Sequence, residues 1–239
     1  MEQREYKDAP AFESRQILEI RWQMPQLENE LGEIFRTAGR FTDDPKERTS
    51  IALRIFTALS KGKLEDLPES MWQALENTDS FNIQKGDFDV ARKIAEENDR
   101  DFDFYLNRIL SGEPVSAPTI ILYRGIAHTI GGNTRLMTAR VFGVQPKVIV
   151  ARLDANEEAV DVPELDMNTF EMIAEAYHSF TSEYVDRSSF EKMLAAHMVD
   201  LKPDKIARIR TYADIYYGSD HPLTIEEFAK KVDEAKRAS

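Results

Sequence analysis

Residues 128–135 read His-Thr-Ile-Gly-Gly-Asn-Thr-Arg, and the segment from Gly131 to Arg135 has the residue types of an anion-binding turn. Glycines adopt backbone angles closed to other residues, so successive N–H groups can converge on one point. The apolar run at 119–123 and the helix-like run at 136–142 place these glycines between a strand and a helix. The start of a helix adds unpaired N–H groups and partial positive charge, so the sequence predicts a phosphate site here.

Side chains in and near the turn could complete this site. Asn133 and Thr134 stand at the predicted N-cap and can offer polar groups to phosphate oxygens, while Arg135 can offset their charge. His128 and Arg124, on the neighbouring strand, are candidates to reach the same pocket. The alternative is a turn that only links a strand to a helix, with His128 as an ordinary strand residue.

The distribution of charge also singles out this region. Between Pro114 and Leu153 there is no Asp or Glu, although the whole chain has a formal net charge of −12. This basic island carries five cationic residues and a formal charge of +5, so the rest of the chain carries −17. The five are Arg124, Arg135, Arg140, Lys147 and Arg152. Such an island favours an anionic ligand, and it is where DNA would bind as an alternative partner.

Hydrophobic periodicity predicts an α+β protein with three regions: a helical region over 1–84, a small mixed α/β core over 85–155, and a helical region over 156–239. The order expected within the core is helix, strand, glycine turn, helix, strand, with the second strand over 148–153. Predicted helices cover 87–97, 102–110, 170–177, 187–198, 202–216 and 224–237. In the N-terminal region, Ile51, Ile55 and Leu59 predict one helix, and the group Ile17, Leu18, Ile20 and Trp22 another.

Composition excludes several classes of site and location. The chain has no cysteine, which excludes disulfides and thiolate metal ligands, and its four histidines lack paired ligand spacing, so no metal site is expected. No apolar run approaches the roughly 20 residues that a membrane span needs, and the first residues lack the apolar stretch of a signal peptide. We therefore expect no membrane partner and a cytoplasmic location.

The stretch from Ala117 to Val150 resembles the core of the ParB/sulfiredoxin superfamily. It shares a Pro that leads into a strand, a Gly-x-x-Arg turn that opens a helix, a Gly after that helix, and a closing strand of branched residues. The resemblance covers residues 117 to about 153. The Gly-Gly-Asn-Thr-Arg variant is similar to domains of phage-encoded proteins.

The resemblance implies different activities in different branches. Sulfiredoxins bind ATP phosphates at a similar turn, but Asn133 and Thr134 replace their catalytic Cys and its neighbouring His, which excludes that chemistry. Chromosome-partition proteins bind CTP at Gly-Glu-Arg-Arg, of which only Gly132 and Arg135 match. Their DNA-binding half would fall after Asp154, where the net charge is −9. In the third branch, small-molecule kinases, the turn holds a nucleotide and a nearby carboxylate activates a hydroxyl.

Two functions follow as expectations. The first is a nucleotide-dependent phosphotransferase, with ATP as the expected nucleotide, Mg²⁺ as an optional companion and an unassigned acceptor substrate. The second is a ParB-like nucleotide- or nucleic-acid-binding module without turnover. A phosphotransferase needs a carboxylate near the phosphate, and the basic island has none. The candidates outside it are Glu96, Glu97, Asp99, Asp101, Asp103 and Asp154, so no catalytic residue is assigned.

Overall fold

The computed structural model describes residues 19–154, 161–184, 186–197 and 201–238, and over these ranges the protein is an α+β structure. Helices are α1 (Leu31–Ala38), α2 (Pro45–Ser60), α3 (Glu69–Ala74), α4 (Phe88–Glu97), α5 (Phe102–Leu110), α6 (Asn133–Phe142), α7 (Met167–His178), α8 (Arg187–His197), α9 (Pro203–Tyr217) and α10 (Ile225–Arg237). Strands are β1 (Trp22–Gln23), β2 (Glu65–Asp66), β3 (Leu75–Glu76), β4 (Val115–Ser116), β5 (Thr119–Tyr123), β6 (Ile126–Gly131) and β7 (Lys147–Arg152). A 3₁₀ turn, Leu27–Glu30, leads into α1.

A five-stranded mixed sheet forms the centre of the protein, in the order β2-β7-β5-β6-β3. Strands β5 and β7 are parallel, whereas β5 and β6 form an antiparallel hairpin. The hairpin turns at Arg124 and Gly125, whose φ values of 52° and 78° fit a two-residue type I′ turn. Helix α6 then connects the end of β6 to β7, on the other side of β5.

The two faces of the sheet are buried against different helices. On one face, Ile121, Ile130 and Ile149 belong to a core that includes residues of α1, α2, α7 and α10. On the other face, Ile120 and Val150 pack with residues of α6 and α3. Because successive strand residues point to opposite faces, a strand covered on both sides is mostly apolar, as β5 is from Ile120 to Tyr123. The sheet thus holds the Gly131–Arg135 turn between two packed layers.

The structure confirms most of the predicted helices and both predicted strands. Helix α5 has the predicted bounds, and α4, α7, α9 and α10 differ from theirs by at most three residues at either end. Helix α10 begins with a capping box formed by Thr224 and Glu227. Of the predicted helix over 187–198, the described part ends at His197. Between β7 and α7, residues 155–160 lie outside the described ranges, and 161–166 have no regular structure.

Two expectations are wrong. The glycine turn does not follow the strand at 119–123 directly, because the additional strand β6 lies between them. Of the helix predicted around Ile20 and Trp22, the described part is not helical: Trp22 lies in β1, paired in parallel with Val115 of β4. Residues 17 and 18 lie outside the described ranges.

The predicted N-terminal and central regions share one sheet. Strands β2 and β3 come from residues below 84 and pair with β7 and β6. The largest apolar cluster also joins residues from all three predicted regions, from Leu27 to Val232. The boundaries proposed at 84 and 155 stay a prediction. No helix in the described part of the chain is long and apolar enough to cross a bilayer.

Candidate phosphate-binding site

The predicted turn joins β6 directly to α6. Gly132 occupies the N-cap position with φ of +100°, and α6 begins at Asn133. Its first helical hydrogen bond is donated by Leu136 N–H to the Gly132 carbonyl oxygen, 2.9 Å away. The N–H groups of residues 133–135 precede that bond and have no intrahelical acceptor. The turn therefore presents a helix start with a glycine in place of a capping side chain.

Other groups approach both glycines closely, and at Gly132 the close atom belongs to the backbone. A Cβ at Gly132 would lie 2.8 Å from Pro118 Cα, and its φ is one that side chains rarely allow. A Cβ at Gly131 would overlap the Oε2 atom of Glu30. The carboxylate of Glu30 therefore lies directly against the turn, which sequence reasoning did not predict.

Arg135 and Glu30 form a buried ion pair. Arg135 Nη2 lies 3.2 Å from Glu30 Oε1, and the two side chains are 8% and 11% exposed. Arg135 Nη1 also donates to the carbonyl oxygens of Ser116 and Ala117, at 3.1 and 3.2 Å. The guanidinium therefore holds Glu30 and the segment before β5 together, and it does not project into solvent.

Several buried polar atoms beside the turn make no hydrogen bond within the described residues. They are Arg135 Nε, Asn133 Oδ1, Thr119 Oγ1 and Thr129 Oγ1. Arg135 Nε lies 3.0 Å from the Cβ position of Gly132, and Thr119 is opposite Gly131 in the β5–β6 register. Since buried polar groups in folded proteins nearly always have a partner, this cluster is suited to a polar ligand or ordered water.

The other two residues of the turn contact the protein itself. Asn133 Nδ2 donates to the carbonyl oxygen of Asn77, which follows β3, at 2.9 Å. Thr134 is buried, and its carbonyl oxygen accepts a hydrogen bond from Thr138 Oγ1 at 2.7 Å. The Asn133 contact fixes the start of α6 against the segment after β3, whereas the Thr138 contact lies within α6.

In the structure, His128 lies closer to the Gly131–Arg135 turn than Arg124 does. His128 lies in the middle of β6, roughly 10 Å from Gly131 at about 3.3 Å per residue. It is buried, with Nδ1 4.0 Å from Glu76 Oε2 and no hydrogen bond to Nε2 within the described residues. Burial, assisted by Arg40, lowers the pKa of His128. Burial therefore favours the neutral form of the side chain over the charged form.

Arg124 lies at the opposite end of β6, in the hairpin turn, and the structure does not bring it to Gly131. Its Nη2 atom lies 2.8 Å from Glu47 Oε1. Sequence analysis placed Arg124 within reach of the phosphate pocket, but in the structure the length of β6 (Ile126–Gly131) separates it from the turn.

All five cations of the basic island form ion pairs with carboxylates from residues 30–69. The pairs are Arg124–Glu47, Arg135–Glu30, Arg140–Glu69, Lys147–Asp66 and Arg152–Glu65. The separation of charge along the sequence thus becomes pairing between neighbouring segments in the fold. The local positive field that sequence analysis attributed to the island is largely offset within the chain.

Glu30 was missed because it is far from the turn in sequence, but one local signal marked it. Leu27, Glu30, Leu31 and Ile34 follow an i, i+3, i+4, i+7 spacing, so Glu30 occupies a position on an otherwise apolar face. All four residues are buried. A carboxylate on such a face needs a partner, which here is Arg135.

Two of the carboxylates proposed from sequence have other contacts. Asp101 caps α5 by accepting a hydrogen bond from Phe104 N–H, and Asp103 pairs with Arg92. Within the described ranges no group of three or more His, Cys, Asp or Glu side chains is arranged to hold a metal ion.

Comparison with known proteins adds no assignment to this geometry. No family model, curated protein or solved structure matches the chain. The ParB/sulfiredoxin resemblance therefore stays a prediction based on residues 117–153.

Proposed function

We propose that this protein is a nucleotide-dependent phosphotransferase in which the Gly131–Arg135 turn binds phosphate and Glu30 activates the acceptor hydroxyl. The observation that carries the proposal is the Glu30 carboxylate lying against Gly131 at the start of α6. A carboxylate at this position is the group that the phosphotransferase hypothesis required and that the basic island lacks.

The start of α6 suits phosphate oxygens for two reasons. The N–H groups of residues 133–135 have no intrahelical acceptor, and the helix dipole favours a negative charge beside them. The buried Nε of Arg135 adds a further donor without a partner in the described part of the chain. ATP is the proposed nucleotide, and Mg²⁺ would be held mainly by its phosphates.

Arg135 has a different role here from the one expected from sequence. Because Nη2 holds Oε1 of Glu30, the guanidinium is a positioning group for the carboxylate. Oε1 is thereby occupied, whereas the described residues supply no hydrogen bond to Oε2. Oε2 is then the oxygen available to accept a proton.

The proposed step is a direct transfer. The hydroxyl oxygen of the acceptor attacks the terminal phosphorus of ATP, and the bond from that phosphorus to its bridging oxygen breaks as the new bond forms. The hydroxyl proton passes to Glu30 Oε2, and the electron pair of the broken bond leaves with ADP. A positioned base of this kind contributes roughly 10²- to 10⁴-fold to such a rate.

The second candidate is a nucleotide-binding module without turnover, and the buried Glu30–Arg135 pair is the observation that favours it. In this case the pair stabilises the fold and Glu30 takes no proton. Binding of DNA through the basic island is less favoured by the same geometry, because each of its cations already has a carboxylate partner.

The test compares Glu30→Gln with Glu47→Gln. Both remove a carboxylate that pairs with an arginine of the island, but Glu47 pairs with Arg124 at the far end of β6. ADP release from ATP is measured with pools of small hydroxyl compounds as acceptors, alongside nucleotide binding. We expect Glu30→Gln to lower transfer at least roughly 100-fold while it still binds ATP, with Glu47→Gln unchanged. Equal transfer by Glu30→Gln and the wild type would refute the role of Glu30, and ATP binding without any transfer would favour the binding module.

A further inference from the structure

A cavity lies at the C-terminal end of α6, away from the glycine turn. It has a volume of about 500 Å³, within the range of roughly 300–1,000 Å³ that is typical of small-ligand sites. Its buried apolar wall is formed by Leu67, Trp72, Ile83 and Ala139. Charged and amide side chains surround this wall, so the cavity has a mixed lining. The start of α6 is not part of it.

A planar cation forms one side of the cavity. The guanidinium carbon of Arg140 lies 3.5 Å from the centre of the Trp72 ring. Arg140 Nη1 is also 2.9 Å from both carboxylate oxygens of Glu69, and Trp72 Nε1 donates to Ser80 Oγ at 2.9 Å. These contacts hold the guanidinium flat and in place. Trp72 covers one face of this guanidinium, and the other face is a stacking surface for an aromatic ring.

Lys85 supplies a second cation to the same cavity. Its stem lies against Gly143, where a Cβ would come within 2.8 Å of Lys85 Cδ. The side chain makes no ion pair or hydrogen bond within the described ranges, whereas Arg140 is paired with Glu69. The ammonium group can donate three hydrogen bonds and can accept none, so its donors are available to a ligand.

From this arrangement we infer that the cavity binds an oxopurine, with the ring stacked on Arg140 and its acceptor edge facing Lys85. Guanine and hypoxanthine present two acceptors, O6 and N7, to a cation, whereas adenine places an amino donor beside N7. An ammonium group favours the two acceptors of guanine and hypoxanthine, and it is opposed by the amino donor of adenine. This inference does not depend on the proposed phosphotransferase activity, because it concerns different residues at the opposite end of α6.

Nucleosides test the inference without involving the phosphate site. The protein has two tryptophans, so Trp22→Phe leaves Trp72 as the sole reporter of the cavity. Inosine and guanosine are titrated against its fluorescence up to their solubility limits, with adenosine as the comparison. We expect saturable quenching by both oxopurines and at least tenfold weaker binding of adenosine.

Two further variants identify the groups responsible. Lys85→Met keeps a long stem over Gly143 but removes the ammonium, and we expect it to lower the affinity for inosine to that for adenosine. Lys93→Met, on the exposed face of α4, is the matched control and should bind as the wild type does. Arg140→Lys keeps the charge but removes the planar surface, so it should weaken the binding of inosine and of adenosine.

The inference is overturned if no nucleoside gives a saturable change, or if Lys85→Met retains the wild-type preference. Circular dichroism of each variant, measured under the same conditions, separates loss of binding from loss of the fold. A negative result with nucleosides would not bear on the proposed phosphate site, because nucleosides carry no phosphate.

Discussion

Replacing Arg135 by Met tests whether the buried ion pair stabilises the fold. The change removes a guanidinium that is 8% exposed and leaves the Glu30 carboxylate buried without its cation. It also removes the donors to the carbonyl oxygens of Ser116 and Ala117. Removing one partner of a buried pair costs about 3–5 kcal/mol, so we expect Arg135→Met to lower the free energy of unfolding by about 4 kcal/mol.

Urea unfolding measures this change, with Arg124→Met as the control. The side chains of the Arg124–Glu47 pair are partly exposed, at 45% and 33%, and loss of the pair should cost less than about 1 kcal/mol. Adding Glu30→Leu to Arg135→Met removes the uncompensated charge and should recover much of the lost stability. If Arg135→Met and Arg124→Met have the same small effect, the guanidinium of Arg135 is not buried as described and the reasoning fails.

Two further predictions concern the turn and the sheet beside it. Gly132→Ala should lower the free energy of unfolding by at least about 2 kcal/mol, since it combines a φ of +100° with overlap on Pro118. Gly86→Ala, at a φ of +93° with open space around it, should cost less in the same urea assay, and equal costs would exclude overlap as the cause. Burial lowers the pKa of His128, so the unfolded state binds more protons at acid pH, and stability should fall as the pH drops below about 6.5. The His128→Phe variant should lose this part of the pH dependence of the urea midpoint between pH 7.5 and 5.5, and an unchanged slope would contradict the assignment.

Elements with local signals were predictable from sequence. Helix α5 has an Asp cap at one end and a Ser-Gly stop at the other, and α10 begins with the Thr224 capping box. Both signals act within a few residues of the chain, so they can be recognised without tertiary information. The apolar strands β5 and β7 were predictable for the same reason, since burial on both faces leaves a continuous apolar run.

Elements that depend on distant partners were not predictable in the same way. Strand β1 exists because Trp22 pairs with Val115, and β2 pairs with β7 across a similarly long separation. Strand β6 was missed because its hairpin turns at Arg124, a residue that rarely adopts the positive φ of 52° required there. The usual Asn-Gly or Asp-Gly signal of such a turn is absent from its sequence.

The candidate site also contains a part with a local sequence signal and a part that depends on distant residues. Its glycine turn is local, and the structure places it between a strand and a helix as expected. Glu30 is 105 residues from Arg135, so its position at Gly131 could be known only from the fold. The basic island was visible as an imbalance of charge, but the sequence did not show that each of its cations has a carboxylate partner.

Calorimetric titration of ATP with Mg²⁺ into the wild type, Glu30→Gln and Glu47→Gln tests the central claim most directly. If phosphate binds at the start of α6, removing the negative charge of Glu30 should strengthen binding by at least about 1 kcal/mol, or roughly fivefold. Glu47→Gln, at the far end of β6, should bind as the wild type does. Absence of ATP binding in all three proteins, or equal affinity of Glu30→Gln and the wild type, would contradict a phosphate site at this turn.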